Sequence, residues 1–366
     1  MKIIHCADIH LDSTLSSKFD KEKAKERNAE ILSSFLSMIN YAKEEGVKAI
    51  LIAGDLFDKK KASKKTSEII MRAIADASSV NFYYLKGNHD ALNFAENYNE
   101  LPENLFLFGN FWTSYDITDR VTISGAEFNN SNAPILSDSL NLDKEKINIV
   151  MLHGNASETS LRSEGETIAI KSYKNKGIDY MALGHIHAQY SGVIDERGEY
   201  AYSGCLEGRG FDELGEHGYI ILDIDENEGK IKREFHRSSV RILYNPKTDI
   251  TGVTSIVEAI EKVRSELDKL PITPKDMIKI SLTGLVDADV DIIPELITNQ
   301  FKDKYYFVKT KDKTKIHIDF DAYANDASLK GEFIRTVRSD ENISEDLAAE
   351  VVRCGIRILA GEEVFD

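Results

Sequence analysis

Short apolar runs that end in possible metal ligands constrain the fold of this sequence more than any other feature. The run from Ala49 to Ala53 ends abruptly at Gly54 and Asp55. Apolar runs bounded by glycine and an acid are typical of buried strands in an α/β sheet. Open α/β sheets bind ligands at the carboxyl ends of their strands, which is where Asp55 would lie.

The N-terminal two thirds of the chain alternates strand-like and helix-like segments. The predicted strands are 2–7, 49–53, 80–85, 121–126, 147–152 and 178–183, with a hairpin at 219–224 and 231–236, and the predicted helices are 21–45, 66–77 and 168–176. The β-α-β-α-β order at the start predicts a mostly parallel sheet with covering helices. We therefore expect an α/β fold, a sandwich of two sheets that each have helical cover.

A change of pattern near residues 237–246 predicts a domain boundary. Residues 1–240 would form the main domain, 241–325 a smaller α+β capping domain, and 326–366 a C-terminal helical segment. The last segment is charged and amphipathic. Packing on its own domain is the favoured interpretation, and a partner-binding helix is the alternative.

Composition restricts the cellular setting. The three cysteines are widely spaced and odd in number, which fits reduced thiols better than a disulfide framework. No run approaches the roughly 18 apolar residues that span a membrane, and the N-terminus lacks the apolar region of a signal peptide. We expect a cytoplasmic protein without membrane contact. The net charge of −16 argues mildly against a nucleic-acid coat protein but does not exclude a nucleic-acid enzyme.

Five motifs at predicted strand ends carry the chemistry. They hold five of the nine histidines and read Asp8-Ile9-His10, Gly54-Asp55, Gly87-Asn88-His89-Asp90, His153-Gly154 and Gly184-His185-Ile186-His187. Each follows an apolar strand, so all should gather along one edge of the sheets. Any one motif alone could be an ordinary turn, because Asn and Asp favour turns.

The residue types in these motifs suit two metal ions. In an extended segment residues i and i+2 point the same way, so Asp8 with His10, and His185 with His187, could reach into one site. Asp55 could bridge two cations. Mixed His, Asp and Asn ligands suit Mn²⁺, Fe²⁺ or Zn²⁺ better than Mg²⁺ or Ca²⁺, and Mn²⁺ is the ion that we expect. Two such ions about 3.5–4 Å apart can activate water and stabilise a phosphoryl transition state.

The ordered set D-x-H, G-D-x-x-D, G-N-H-D, H-G and G-H-x-H resembles the calcineurin-like metallophosphoesterase superfamily. Gly54-Asp-Leu-Phe-Asp58 together with Gly184-His-Ile-His187 resembles its DNA-repair exonuclease branch, which includes the nuclease subunit of the bacterial SbcCD complex. The segments from Tyr202 to Asp212 and from Gly361 to Val364 look like the shorter bacterial exonucleases of that branch.

The resemblance implies a role for each motif residue. One metal would be held by Asp8, His10, Asp55 and His187, and the other by Asp55, Asn88, His153 and His185. His89 would contact the scissile phosphate and help the leaving oxygen, and Asp90 would orient His89. The resemblance also implies DNA as substrate, an SMC-like coiled-coil ATPase as partner, and a homodimer.

Relatives can carry a second phosphate-contacting histidine just after the Asp55 motif, where this chain has Asp58 and then lysines. We expect Lys60, Lys61 and Lys64 to contact the DNA backbone, although a solvated face is an equal alternative. Arg209 is a weaker candidate for the same role. The leading function is a two-metal DNA exonuclease or endonuclease of DNA-end repair. The alternatives are a phosphoesterase for a small phosphodiester or a phosphoprotein, and a non-catalytic metal-stabilised binding module.

Overall fold

A computed structural model describes residues 1–58, 63–90, 98, 100–129, 131–158, 166–287, 290–317, 325–340 and 342–359. Contacts divide the chain into two units, Met1–Arg241 and Ile242–Asp366. Within the described ranges, no helix combines the length and the apolar character needed to cross a membrane.

The first unit is built mainly of strands. In chain order they are β1 (Lys2–Cys6), β2 (Ala49–Ala53), β3 (Asn81–Leu85), β4 (Leu105–Leu107), β5 (Thr113–Thr118), β6 (Val121–Gly125), β7 (Ile147–His153), β8 (Asn155–Ser157), β9 (Thr167–Ala169), β10 (Tyr180–Gly184), β11 (Tyr190–Val193), β12 (Glu199–Tyr202), β13 (Gly218–Asp225) and β14 (Lys230–Arg237). Its helices are α1 (Lys21–Glu44), α2 (Lys64–Asp76) and α3 (Ala133–Ser139).

Twelve of these strands form two six-stranded sheets. The first has the order β14-β13-β1-β2-β3-β4 and the second the order β11-β12-β10-β7-β6-β5. In the first sheet β1, β2, β3 and β4 are mutually parallel, with Ile3 beside Ala49 and Ala49 beside Asn81. In the second sheet β6, β7, β10 and β12 are mutually parallel. The parallel strands of each sheet therefore end at a common edge.

The main core lies where the two sheets face each other. Leu51 and Tyr83 of the first sheet pack in one buried cluster with Ile123, Ile149 and Ala182 of the second. The central strands β2, β7 and β10 are buried along their whole length. Strands covered on both faces read as continuous apolar runs, which explains why the sequence pattern identified them. The predicted sandwich of two sheets is confirmed.

Side-chain caps set the starts of the two longer helices. Asp20 accepts the backbone N–H of Lys23 at the start of α1, and Ser63 accepts that of Thr66 at the start of α2. Such caps satisfy backbone donors that have no partner within the helix. Helical cover is lighter on the second sheet than predicted, because its described helices are α3 and one 3₁₀ turn.

The helix predicted over 168–176 is wrong. Residues Thr167–Ala169 form β9, which pairs in parallel with β8, and Ile170–Tyr173 form the 3₁₀ turn. Ile168, Ile170 and Tyr173 are all buried. Their apolar spacing of two and then three residues fits a strand followed by a tight turn. In so short a segment the same apolar pattern also fits a helix, so the sequence does not distinguish the two structures.

The second unit is a smaller α+β arrangement. Its elements are β15 (Leu243–Tyr244), β16 (Lys247–Asp249), α4 (Ile256–Leu267), β17 (Met277–Thr283), β18 (Leu285–Asp287), α5 (Pro294–Phe301), β19 (Phe307–Asp312), β20 (Lys315–His317), α6 (Leu329–Ser339) and α7 (Glu345–Leu359). Strand β17 pairs in parallel with β15, β16 and β19. Helices α4 and α5 cover this sheet through Val263, Ile297 and Phe301.

The C-terminal segment contains two helices that pack on each other. Ile334 and Val337 of α6 and Ala348 and Val352 of α7 form a small buried cluster. Within the predicted helical segment 326–366, the described helices are therefore α6 and α7, which are separated near residue 340. The segment from Gly361 to Val364 lies outside the described residues.

Candidate metal centre

The predicted ligand motifs meet at the carboxyl edge of the two sheets. Asp8 and His10 follow β1, Asp55 follows β2, and Asn88 follows β3, all in the first sheet. His153 ends β7 and His185 follows β10, in the second sheet. Nε2 of His10 lies 3.1 Å from Nε2 of His187, so the two sheets bring their polar side chains together.

The backbone at these strand ends is turned, not extended. The φ angles are 52° at Asp8, 53° at His10, 53° at Asp55 and 105° at His185. Non-glycine residues rarely adopt positive φ, and such conformations cluster at functional sites. Asp8 and His10 do reach the same place, but the alternation of an extended strand, which we expected to be the reason, is not the cause.

Hydrogen bonds between the first two loops hold this unusual backbone. The backbone N–H of Asp8 donates to the carbonyl of Gly54 at 3.1 Å, and that of His10 donates to the carbonyl of Asp55 at 2.9 Å. Asp58 N–H returns a bond to the carbonyl of Leu11 at 3.0 Å. The two ligand-bearing loops therefore support each other.

Asp55 occupies the middle of the constellation. Its Oδ1 accepts the backbone N–H of His89 at 2.8 Å. Its Oδ2 lies 3.7 Å from Nε2 of His10 and 3.4 Å from Nε2 of His153. One oxygen thus orients the carboxylate, and the other faces histidines from both predicted ligand sets.

Among the residues that the structure describes, three groups of side chains have ligand atoms close enough to hold a metal ion. Within each group the atoms lie within 4.8 Å of one another, and the groups are Asp8, His10 and His187; Asp8, Asp55 and His153; and His10, Asp58 and His89. Asp8 joins both of the first two groups, although the resemblance assigned it to one metal only. Asp58 was not predicted as part of the site.

Asn88 contacts the two other predicted ligands of its set that are histidines, His153 and His185. Its Oδ1 lies 3.0 Å from Nε2 of His153 and 3.1 Å from Nδ1 of His185. Nδ1 of His153 lies 2.9 Å from the carbonyl of Ala53 and must donate to it, because a carbonyl only accepts. In the neutral imidazole this leaves Nε2 free of its proton, as a metal ligand requires.

The charges of the site shift its pKa values in a consistent way. Burial lowers the pKa of His153, but the hydrogen bond and charge of Asp55 outweigh it and raise the pKa to about 9. Burial likewise opposes ionisation of Asp55, and the neighbouring His153 and His10 still lower its pKa. Asp55 therefore places negative charge beside two imidazoles, where a divalent metal ion could replace their protons.

Asp90 contacts backbone groups, and the acid beside the imidazole of His89 is Asp58 instead. Its buried carboxylate accepts backbone N–H groups of Phe57 at 2.8 Å and of Leu56 and Gly87 at 3.1 Å each. Asp90 therefore ties the loop after β2 to the loop after β3. Burial and the nearby Asp55 charge raise the pKa of Asp90 to about 6 despite these donors.

Asp58 takes the place that was assigned to Asp90. Its Oδ1 lies 3.0 Å from Nδ1 of His89 and 3.2 Å from Nδ1 of His10, and its Oδ2 accepts the hydroxyl of Ser13 at 2.5 Å. The side chain of His89 is 47% exposed, whereas that of Asp58 is 16% exposed. The exposed imidazole of His89 is thus held by a largely buried acid.

Glu213 is a second acid that the sequence did not reveal. Its Oε1 lies 2.7 Å from Nδ1 of His187, and its side chain is 5% exposed. It stands 26 residues after His187 and belongs to none of the five motifs. The sequence signal for Glu213 is weak. Glu213 follows Arg209 by four residues, a helical spacing, in a glycine-rich segment.

The predicted DNA-contacting residues fall into different settings. Lys64 begins α2, is 91% exposed, and lies 3.8 Å from Glu68. Lys60 and Lys61 lie outside the described residues. Arg209 is 12% exposed and is paired with Glu213 at 3.0 Å and Asp58 at 3.6 Å, so it is not a free loop arginine.

The donor set fits divalent metal ions of the kind expected. Imidazole nitrogens of His10 and His187 point at each other across 3.1 Å, and carboxylates of Asp8 and Asp55 converge on the same space. Mixed nitrogen and oxygen donors of this kind suit Mn²⁺, Fe²⁺ or Zn²⁺.

A protein-family comparison identifies residues 1–189, about half of the 366-residue chain, as matching the calcineurin-like phosphoesterase model. The uncharacterized metallophosphoesterase YhaO of Bacillus subtilis strain 168 is 26% identical over 295 residues, which are 74% of this chain and 69% of YhaO.

Two solved structures illustrate the range of the similarity. TT1561 of Thermus thermophilus is 14% identical with a TM-score of 0.43, over 64% of this chain and 98% of that one. A dimetal phosphatase of Danio rerio is 10% identical with a TM-score of 0.40, over 61% of this chain and 92% of that one.

Proposed function

This chain belongs to the calcineurin-like phosphoesterase family, and from that premise we propose that it is a two-metal phosphodiesterase that cleaves DNA. Metal-dependent hydrolysis of a phosphoester is the activity that the family supports. The proposal adds the two finer points, which are the diester bond and the nucleic-acid substrate.

One observation carries the proposal: His89, backed by Asp58, stands at the exposed mouth of a convergent ligand set. Asp8, His10, Asp55 and His153 are almost fully buried, whereas Asn88 and His89 are more accessible. A substrate phosphate can therefore approach from solvent on the side of His89. An exposed mouth admits a polymer as well as a small molecule.

The residues of the site divide the work. Metal ions, when bound, supply an activated water and positive charge for the transition state. Asp55 Oδ2 faces His10 of one predicted ligand set and His153 of the other, so Asp55 would connect the two sets. Asp58 would accept the Nδ1–H of His89 and so stabilise the doubly protonated ring, whose Nε2–H could then be donated to a phosphate oxygen or to the leaving oxygen.

Two features favour DNA as the substrate. The motif spelling from Gly54 to Asp58 and from Gly184 to His187 resembles the DNA-repair exonuclease branch, including the nuclease subunit of SbcCD. A lysine-rich run follows Asp58 directly, and its described member Lys64 is accessible to a phosphate backbone at 91% exposure. Manganese is the proposed ion, with Fe²⁺ and Zn²⁺ as alternatives.

The test is a Mn²⁺-dependent assay on end-labelled single-stranded and double-stranded DNA, run beside a small phosphodiester and a phosphopeptide. We expect the wild type to degrade DNA and Asp55→Asn to be inactive on every substrate. Rapid turnover of the small diester or the phosphopeptide with no attack on DNA would contradict the nuclease proposal and support the alternative. Equal activity of Asp55→Asn and the wild type would contradict the metal centre, whereas a wild type that cleaves none of the substrates would favour a non-catalytic binding module.

The remaining proposals follow from the same branch. An SMC-like coiled-coil ATPase would be the partner, the α+β part of the second unit would act as a cap that guides the substrate, and two copies would form a homodimer. Co-purification with a coiled-coil ATPase tests the proposed partner, and sedimentation equilibrium of the isolated chain tests the homodimer. A strictly monomeric chain across the micromolar range would contradict the homodimer.

A further inference from the structure

Glu213 and Arg209 form a buried pair directly behind His187. They lie in the segment that connects β12 to β13. Glu213 Oε1 accepts Nη2 of Arg209 at 3.0 Å, and its Oε2 accepts the backbone N–H of Arg209 at 2.6 Å. The side chains are 5% and 12% exposed. Both oxygens of Glu213 are thus engaged, and the carboxylate cannot easily rotate.

Nδ1 of His187 has two polar neighbours of opposite kind. Nη2 of Arg209, at 3.1 Å, can only donate, whereas Oε1 of Glu213, at 2.7 Å, can only accept. If Nδ1 lacked a proton, its lone pair would face the carboxylate oxygen of Glu213 at 2.7 Å, and the two would repel each other. With a proton on Nδ1 the same distance is a normal charge-assisted hydrogen bond. The arrangement therefore favours the tautomer in which Nε2 is free.

The free Nε2 of His187 is the atom that faces the metal centre. It lies 3.1 Å from Nε2 of His10, and His187 groups with Asp8 and His10 as a possible metal site. The hydrogen bond on Nδ1 thus decides both the protonation and the direction of the atom that would bind metal.

A buried network anchors the segment that carries the pair. Arg27 of α1 is fully buried and donates to Glu207 at 3.1 Å and to the carbonyl of Gly208 at 2.8 Å. Ser34, also in α1, donates to the other oxygen of Glu207 at 2.7 Å. Arg209 follows immediately, so the long helix holds the base of the pair in place. Rigid support of this kind is what a precisely oriented ligand requires.

Arg209 also contacts Asp58, the acid that supports His89 and His10. Its Nη1 lies 3.6 Å from Oδ2 of Asp58, the acid behind His89 and His10. One guanidinium therefore stands between the two acids that support the site's histidines. Its charge is already balanced by these carboxylates, which argues for a structural role of Arg209 inside the site.

We propose that Glu213, held by Arg209, is a positioning residue that fixes His187 as the Nδ1–H tautomer and presents Nε2 to a metal ion. The inference rests on the metal centre of the proposed function, but not on the identity of the substrate. It adds a residue outside the five motifs to the machinery of the site.

The test combines a spectroscopic signature with a metal titration. In Zn²⁺-loaded protein labelled with ¹⁵N-histidine, His187 should show a slowly exchanging Nδ1–H signal, assigned by its loss in His187→Gln. Zn²⁺ is chosen because it is diamagnetic. Glu213→Ala should lose that signal and bind one equivalent of Zn²⁺ about 10- to 100-fold more weakly by calorimetry.

Asp212→Asn is the matched control. Asp212 is the neighbouring acid, its side chain is 67% exposed, and it bonds Lys18 at 2.8 Å instead of a histidine. This variant removes the same charge from the same segment and should keep the wild-type signal and affinity. Glu213→Gln retains the volume and one acceptor oxygen, and we expect partial rescue with an intermediate affinity.

Two results would overturn this inference and leave the proposed function intact. One is a proton on Nε2 of His187 in the wild type, and the other is a Zn²⁺ affinity of Glu213→Ala equal to that of Asp212→Asn. The first does not depend on Glu213→Ala and holds even if that variant fails to fold. Wild-type protein that binds no divalent metal would overturn the proposed function as well, so the two failures are distinguishable.

Discussion

The carboxylate of Asp58 lies 3.0 Å from Nδ1 of His89, at the mouth of the candidate metal centre. The same oxygen lies 3.2 Å from Nδ1 of His10, which is fully buried. Asp58 therefore connects a predicted metal ligand to the predicted phosphate-contacting histidine. A change at Asp58 should therefore affect both proton donation by His89 and the orientation of His10, so its effect on His89 is measured at saturating metal.

We expect Asp58→Asn to lower kcat on a phosphodiester about 100-fold, because His89 loses the carboxylate that holds its Nδ1 proton. Steady-state kinetics at saturating Mn²⁺ measure this. The double variant Asp58→Asn/His89→Ala should be no slower than His89→Ala, because the two residues act as one unit. Additive losses would show that Asp58 does not work through His89.

Asp90→Asn should reduce stability instead. The carboxylate of Asp90 accepts three backbone N–H groups, and the amide nitrogen of Asn cannot accept them. One or two donors left unsatisfied cost about 1–3 kcal/mol each, so we expect the free energy of unfolding to fall by about 2 kcal/mol. Urea denaturation in EDTA measures it. If Asp90→Asn kept its stability and lost most of its kcat, Asp90 would instead act by orienting His89, as first predicted.

Gly87→Ala should disturb the position of Asp55. A Cβ at residue 87 would lie 2.2 Å from Oδ1 of Asp55 and 2.6 Å from its backbone nitrogen, so the carboxylate must move. We expect Mn²⁺ affinity to fall at least about tenfold in a calorimetric titration. Gly109→Ala is the control, because a Cβ there meets nothing within 4 Å. Equal affinities in the two variants would show that the loop after β3 adapts freely.

His5 should make the stability of the protein depend on pH. His5 is buried in β1, where Tyr180 lies 2.9 Å from Nδ1 and the carbonyl of Leu183 lies 3.2 Å from Nε2. Burial lowers its pKa from 6.5 to about 3, so below pH 6.5 the unfolded chain binds a proton that the folded protein does not. The stability that neutral His5 provides is present above pH 6.5 and is lost as the pH falls toward 3.

Between pH 7 and pH 5 this loss amounts to about 2 kcal/mol. His5→Gln can keep both hydrogen bonds without titrating, so its free energy of unfolding should fall less over that range. Urea denaturation of both proteins in EDTA measures the difference. Parallel pH profiles would mean that His5 is protonated in the folded protein.

The places where sequence-based prediction succeeded share a cause. Fully buried parallel strands are continuous apolar runs, and the glycine or acid after each run marks its end. Because parallel strands end at one edge, Asp8, Asp55 and His153 could be expected to meet although they lie far apart in the chain. The prediction failed where a segment was short, as at residues 168–176, or where a side chain's direction depended on a turn.

The sequence by itself determined the two-sheet sandwich, the edge that carries the site and the residues that gather there, since these follow from apolar runs and their ends. Only the tertiary structure decided which acid serves which histidine. Asp58 and Asp90 are the same residue type in adjacent loops, and turned backbone directs one toward His89 and the other toward backbone N–H groups. Glu213 meets His187 across 26 residues through the fold of the chain, and no local pattern encodes that contact.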